Sequence, residues 1–269
     1  RSTALPDSYG VKIKRSSEGK IETLVLVQPE GEFSFKYLGA AKKTETPMIA
    51  IDELMTKTIA ALGGEANWRK LNSRVTKVEI DMIHQGVKAS GTTYEKAPNM
   101  AANEIKVVAG GKQIATLDDY FDGTVGIQKT SFSPPDTLTG ERLEDAKISN
   151  DFYGLANWKK NFKEAKVEGK EKVGGEEAYK VVFKPEKGNA VTYFISTKTF
   201  LPLKRNSVIA SSTSQQKIPQ SLTFEDYREV DGVKIPFKSV TSNPGMGSII
   251  VYVKEVKHNV KIDNKQFKP

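Results

Sequence analysis

The chain contains no cysteine, only two histidines and no long apolar run. Without cysteine, disulfides, cysteine nucleophiles and thiolate metal sites are all excluded. The longest apolar stretch, Ile249–Val253, is far shorter than the about 20 residues of a spanning helix. Lys and Arg outnumber Asp and Glu by 41 to 33, but no run of five or six like charges occurs. We therefore expect neither a transmembrane segment nor a nucleic-acid partner.

Motifs for catalysis are also missing. His84 and His258 stand alone in strand-like sequence, and there is no His-Glu-x-x-His, Gly-x-Ser-x-Gly or P-loop pattern. Ser17 to Lys20 match Ser-x-x-Lys, but the match lies in a turn without the helix that this chemistry needs. The sequence therefore predicts a non-catalytic protein with no metal site and no cofactor.

The first part of the chain differs from the rest. Short strand-like runs between Tyr9 and Phe35 alternate with turns, and together they offer too few apolar residues for a core. The polar segment Gly39–Pro47 reads as a linker. We predict that residues 1–45 are a β-strand appendage and linker, the tail of a preceding domain, and that 46–269 form the main domain. Because the first residue is Arg1 rather than methionine, we expect a piece of a longer protein.

The main domain begins with helices and continues with strands. Apolar residues at helical spacing from Ile51 to Leu62 predict a helix that ends at Gly63-Gly64, followed by a short one at "EANWRKL". From Val75 to Val260 the period is two, which predicts one sequential antiparallel sheet. A helical segment, 141–162, interrupts it with the apolar stripe Ile148, Phe152, Leu155, Trp158 and Phe162, and Gly154 is a candidate break in this helix.

A sheet of this length curves because every strand twists. The predicted fold class is therefore α+β: a strongly curved antiparallel half-barrel with helices packed on its concave side, preceded by a short β segment. Two sources can fill the concave side, namely the helices at 51–71 and 141–162, and a bound apolar ligand.

The segment "FEDYREVDGVKIPFKS", Phe224 to Ser239, predicts a hairpin whose two-residue turn is Asp231-Gly232. This turn sets Arg228 opposite Ile235, with one charged face toward water. The other face of the hairpin should line the concavity. Its side chains are those of Phe224, Asp226, Arg228, Val230, Val233, Ile235 and Phe237. Two roles remain open for Asp226 and Arg228: an ion pair near the rim of the sheet, or an arginine that binds a polar group of a ligand.

Three segments resemble outer-membrane lipoprotein-sorting proteins of the LolA/LolB-like group. They are "VTYFISTKTFLPLKR" (Val191–Arg205), the Phe224–Ser239 hairpin and "YFDGTVG" (Tyr120–Gly126). The resemblance covers about Ile51 to Pro269. Residues from about Val11 to Leu38 are similar to the last strands of a small β-domain that follows serine-hydrolase or peptidase domains in secreted bacterial proteins.

The resemblance implies an incomplete barrel, closed by helices, whose cavity takes up lipoprotein acyl chains in the periplasm or another extracytoplasmic space. Arg228 is the candidate for the cavity arginine of such carriers. The expected function is a binding module for a lipid, a lipoprotein acyl chain or another apolar ligand. The alternative is an accessory domain that binds a peptide or protein partner next to an upstream catalytic domain. The predicted cavity-lining residues are Phe152, Leu155, Trp158, Phe224, Arg228, Ile235 and Phe237.

Overall fold

A computed structural model describes residues 9–36, 48–210 and 216–269. The helices are α1 (Ile51–Ala61), α2 (Glu65–Arg69), α3 (Gly140–Ser149) and α4 (Trp158–Asn161), with 3-10 turns at Gly154–Asn157 and Asn264–Phe267. The strands are β1 (Gly10–Arg15), β2 (Ile21–Gln28), β3 (Gly31–Lys36), β4 (Ser73–Met82), β5 (Val87–Lys96), β6 (Met100–Ala109), β7 (Lys112–Phe121), β8 (Gly126–Thr130), β9 (Ser133–Thr137), β10 (Glu164–Val173), β11 (Glu176–Lys184), β12 (Val191–Ser196), β13 (Pro202–Ala210), β14 (Lys217–Val230), β15 (Val233–Asn243) and β16 (Gly247–His258).

The chain divides into two compact units, residues 1–47 and 48–269. In the first unit, β1, β2 and β3 form a three-stranded antiparallel sheet. The pairings place six apolar side chains on one face of this sheet: Val11, Ile13, Leu24, Leu26, Phe33 and Phe35. The predicted linker, Gly39–Pro47, lies outside the described residues, and the assignment of 1–45 to a preceding domain stays a prediction.

The second unit contains one antiparallel sheet of thirteen strands, as the period-two pattern predicts. Its strand order is β10 to β16 followed by β4 to β9, because β16 pairs with β4. The first and last strands of the meander therefore meet in the middle of the sheet. Its free edges are β9, which contains Pro134 and Pro135, and β10. A strand with two prolines lacks donors for further pairing and suits an edge.

The sheet is strongly curved, and its register identifies the side chains of the concave face. One row of directly opposed residues crosses nine strands from β10 to β5: Val167, Val181, Tyr193, Arg205, Leu222, Thr241, Ile249, Met82 and Val87. Opposed residues in a sheet point to the same side. At the β10 end of this row, Leu54 and Met55 of α1 join Val181 and Phe183 in a fully buried core.

The predicted helical segment 141–162 is not continuous, and its break lies at residues 150–153, directly before the candidate break Gly154. The chain leaves α3 at Ser149, turns, and re-enters helix at Trp158. The buried carboxylate of Asp151 stabilises the turn, because it accepts from the Tyr153 N–H (2.9 Å) and the Asn157 amide (2.8 Å). As a result the apolar stripe is divided between two clusters. Phe152 packs near β15, whereas Ile148, Leu155, Trp158 and Phe162 pack on β10 to β12.

We call the end of the sheet with the turns after β4, β6, β8 and β15 the upper end, and the opposite end the lower end. Backbone contacts with the helical segments close the lower end. The Lys234 N–H donates to the Leu62 carbonyl (2.9 Å), and the Phe152 N–H donates to the Pro98 carbonyl (3.0 Å). Gly63 allows this approach, since an added Cβ would lie 2.2 Å from the Gly232 carbonyl oxygen. The predicted end of α1 at Gly63-Gly64 thus coincides with its contact to the β14–β15 hairpin.

Candidate functional site

Half of the concave face is apolar, and no helix among the described residues packs on it. The cluster there consists only of strand residues: Val78, Ile80, Ala89, Ile105 and Val107, flanked by Met82, Val87, Ala115, Leu117, Ile249, Val251 and Val253. The central side chains are buried and the flanking residues on β16 are partly exposed. Because Val167, Ile249 and Met82 share one row, this surface continues from the helix-covered core on the same face.

A cavity of about 290 Å³ lies where the helical segment meets this face. Leu155 and Phe162 line it from the helical side, and Val191, Tyr193 and Arg205 line it from β12 and β13. Gln128 and Leu138, from near the opposite edge of the sheet, also line it. Strands from both sides of the gap between β9 and β10 therefore line the cavity, as expected of a half-barrel whose edges curve toward each other.

Arg205 is the charged member of the row of concave-face residues, and its neighbours in that row are Tyr193 and Leu222. Its Nε is buried and has no hydrogen-bond partner among the described residues. A buried donor without a partner costs free energy, so a polar group of a ligand at this point would be stabilised. Sequence reasoning missed Arg205, although it ends the segment "VTYFISTKTFLPLKR". A register shift between Phe194 and Ile195 breaks the alternation from which its orientation could have been read.

The predicted β14–β15 hairpin has the register expected from its sequence. Val230 pairs with Val233, Glu229 with Lys234, Arg228 with Ile235, Tyr227 with Pro236 and Glu225 with Lys238. Val233 and Ile235 are buried in one cluster with Leu71 and Phe152, and Phe237 packs against it. Of the predicted lining residues, the structure thus brings Phe152, Ile235 and Phe237 together.

Other predicted lining residues lie elsewhere on the same face. Phe224 is opposite Ser239 in a row that continues to Val251 and Ile80, so it borders the uncovered half. Leu155 lines the cavity, whereas Trp158 packs on Phe183 with ring centroids 6.3 Å apart. The role of these residues in binding stays a prediction.

Asp226 and Arg228 are on the expected face but not in an apolar environment, and that part of the expectation is wrong. The Arg228 side chain is 58% exposed, and its Nη2 donates to the Asp226 carboxylate at 2.7 Å. This hydrogen bond holds the pKa of Asp226 below its usual range. The guanidinium also lies 4.5 Å from the ring centroid of Phe237. The ion pair is compatible with both predicted alternatives, and contact of Arg228 with a ligand stays a prediction.

Charged residues form a compact group at the lower end of the concave side. Arg74 makes a two-point contact with Glu95 at 2.5 and 2.6 Å. Next to it, the buried ring of His258 lies with Nδ1 2.9 Å from the Asp231 carboxylate, while its Nε2 has no partner. Burial lowers the pKa of His258, and Asp231 opposes this shift. For the acid Asp119 burial has the opposite effect and raises the pKa. Its carboxylate accepts a hydrogen bond from the Gln128 side-chain amide at 3.2 Å.

Two common functional features are absent from residues 9–36, 48–210 and 216–269. No helix there is both long and apolar enough to cross a membrane. Within the same ranges, no three His, Asp or Glu side chains are grouped so that they could hold a metal ion.

Comparison with known proteins relates the fold to solved structures. No protein-family model and no curated protein matches the chain. A DUF1329 family protein from Desulfovibrio piger has a TM-score of 0.53 at 13% identity, over 82% of this chain and 98% of that one. A putative outer membrane lipoprotein-sorting protein domain from Vibrio parahaemolyticus has a TM-score of 0.50 at 11% identity, over 80% and 95%.

A LolA superfamily protein from Nitrosomonas europaea has a TM-score of 0.49 at 12% identity, over 80% of this chain and 96% of that one. At such identities a match establishes the fold and not the activity. The chain therefore shares the half-barrel fold of the D. piger and V. parahaemolyticus structures over about four fifths of its length.

Proposed function

We propose that the concave side binds an apolar ligand with a polar end, such as a lipid or the acyl chain of a lipoprotein. The observation on which this rests is the apolar part of the concave face, from Val78 to Val253, on which no helix among the described residues packs, together with the cavity on the same face whose lining includes Arg205. Concave, predominantly apolar sites with a few polar groups are the usual places where small molecules bind.

The size of the cavity favours one chain rather than a bulky ligand. Its 290 Å³ is near the lower bound of about 300 Å³ for small-molecule sites. An acyl chain could occupy the cavity and continue over Ile249 and Val251 on the open part of the face. Arg205 would then donate to the carbonyl or carboxylate at one end of the chain, a geometry to which a guanidinium is suited.

The comparison supports the same class of ligand. The domain from V. parahaemolyticus is described as a putative outer membrane lipoprotein-sorting protein, and the present chain shares its fold. We accordingly place the chain outside the cytoplasm, as a binding module rather than an enzyme.

Two neighbouring residues of β16 give a matched pair for the test. Ile249 lies on the concave face opposite Met82, whereas Ile250 lies on the convex face opposite Asp81. A dansyl-labelled fatty acid would be titrated against the protein, and native mass spectrometry would identify any lipid that copurifies. We expect Ile249→Gln to weaken binding about tenfold, because an unpaired amide in an apolar contact costs roughly 1–3 kcal/mol. Ile250→Gln should bind like the wild type.

A second variant tests the polar end of the ligand. Arg205→Gln should weaken binding of the labelled fatty acid more than binding of the corresponding fatty alcohol, which has no carboxylate. An equal loss of affinity for the fatty acid and the fatty alcohol would show that Arg205 does not bind the carboxylate. Equal effects of Ile249→Gln and Ile250→Gln, or no binding to the wild type, would contradict the proposed function itself.

A further inference from the structure

Exposed apolar side chains are concentrated at the upper end of the half-barrel. Four lie at or beside the tips of hairpins: Ile83 after β4, Ile114 after the β6–β7 turn, Phe132 between β8 and β9, and Met246 before β16. Ile209, near the end of β13, is the fifth. We call these five residues the apolar rim. Their exposed fractions lie between 42% and 73%, with Phe132 the highest.

Local structure accounts for the positions of two rim residues. Val107 pairs with Ala115 and Val108 with Gln113, so Ile114 is the extra residue of a β-bulge. The tips after β4 and before β16 are joined, because the Gln85 side-chain amide donates to the Met246 carbonyl at 3.0 Å. Two neighbouring hairpin tips of the rim are therefore linked at the upper end of the sheet.

Three of the four charged residues beside the hairpin turns of the rim are positive. Within two residues of the four turns there are three lysines, Lys88, Lys112 and Lys129, and all three are exposed. The acidic residue in these segments is Asp81, 3.9 Å from Lys88. Apolar side chains flanked by lysines are the combination that an anionic lipid surface attracts.

The two ends of the half-barrel differ in a way that indicates which one faces a membrane. Backbone hydrogen bonds from the helical segments close the lower end. At the upper end α3 makes side-chain contacts, Asp145 with Asn189 at 2.7 Å and Glu141 with Lys217 at 2.9 Å, but the exposed apolar rim lies there and the cavity reaches Ile209. We infer that the apolar rim docks on an anionic lipid bilayer, so that the open end of the concavity faces the lipid. This inference goes beyond ligand binding and is measured separately from it.

Vesicle co-sedimentation of the full chain tests the inference. The rim variant Ile83→Ser/Phe132→Ser/Met246→Ser changes residues that do not line the cavity. It should bind phosphatidylglycerol-containing vesicles at least about tenfold more weakly than the wild type. Val125→Ser is the matched control, because Val125 is 47% exposed but lies in the β7–β8 turn at the lower end. A Phe33→Ser/Phe35→Ser variant controls for the apolar face of the first unit.

A second measurement uses the absence of cysteine from the chain. Phe132→Cys gives a single labelling site for an environment-sensitive fluorophore, with Val125→Cys as its control. We expect a blue shift with anionic vesicles for the label at position 132 only, and weaker binding at high salt.

Three results would overturn the inference. The first is wild-type binding by the rim variant. The second is an equal loss of binding in Val125→Ser or in Phe33→Ser/Phe35→Ser. The third is rim-dependent self-association without vesicle binding, which would assign the surface to a protein partner.

Discussion

Substitution of Gly91 tests the curvature on which the cavity depends. Gly91 lies on the concave face of β5, between Val78 and Ile105 in adjacent strands. A Cβ at this position would be 2.0 Å from the Glu104 carbonyl oxygen and 2.7 Å from the Ile105 side chain. Ordinary contacts begin near 3.4 Å. The main chain of β6 would therefore have to move by more than an ångström, which a sheet paired on both sides resists.

The expected cost of Gly91→Ala is about 3 kcal/mol, the upper part of the range for overpacked interiors. A domain of this size loses about 2–4 °C of melting temperature per kcal/mol, so the expected shift is about 6–12 °C. Tryptophan fluorescence is a suitable probe, since Trp68 and Trp158 are the only tryptophans and both lie in the second unit. Gly245→Ala is the control, because its nearest contact would be 3.6 Å away. A melting temperature of Gly91→Ala equal to that of the control would refute the reasoning.

Two further predictions concern the domain boundary and pH. Deleting residues 1–45 should leave a folded protein with a cooperative thermal transition, because 48–269 form a compact unit; loss of folding would show that the boundary is misplaced. Since burial lowers the pKa of His258 below 6.5, the unfolded chain takes up its proton first as the pH falls. The free energy of unfolding should therefore decrease as the pH drops through 6.5 and below, down to the folded-state pKa. His258→Gln should reduce the difference in the free energy of unfolding between pH 7.5 and pH 5.5. If this difference is unchanged in the variant, other groups cause the pH dependence.

The register of the hairpin could be predicted from sequence because its determinants are local. The Asp231-Gly232 turn sets the pairing of Val230 with Val233, and the period of two then fixes every later pair. The same reasoning failed for the environment of Arg228. The alternation of residues along a strand predicts the face on which a side chain lies, but not whether other residues bury it there. The positive φ of Asp226 and the position near the end of the strand leave Arg228 in water.

Interactions between distant segments could not be predicted in this way. The pairing of β16 with β4 joins residues about 170 positions apart, and nothing local in either strand specifies it. The break in the helix 141–162 depends on Asp151, whose role as an acceptor for Tyr153 and Asn157 is not visible as periodicity. Arg205 was missed for a related reason, because a bulge shifts the alternation within β12 and β13.

The topology explains how one sheet can both form a stable core and leave an accessible cavity. The pairing of β16 with β4 puts the ends of the meander in the centre, so the two free edges, β9 and β10, are consecutive in the chain. The segment between them contains α3 and α4, and side-chain contacts attach α3 to both sides of the gap. Arg142 binds Asp136 at 2.6 Å on one side, and Glu141 binds Lys217 at 2.9 Å on the other.

Such partly exposed ion pairs are worth about 0–1 kcal/mol each. Separation of β9 from β10 breaks no sheet hydrogen bond, because these edges are not paired with each other. The width of the cavity can therefore change at low cost, while every pair of neighbouring strands keeps its register. In a closed barrel the same change would break a complete ladder of backbone hydrogen bonds, so the open edges are consistent with the proposed binding of an acyl chain.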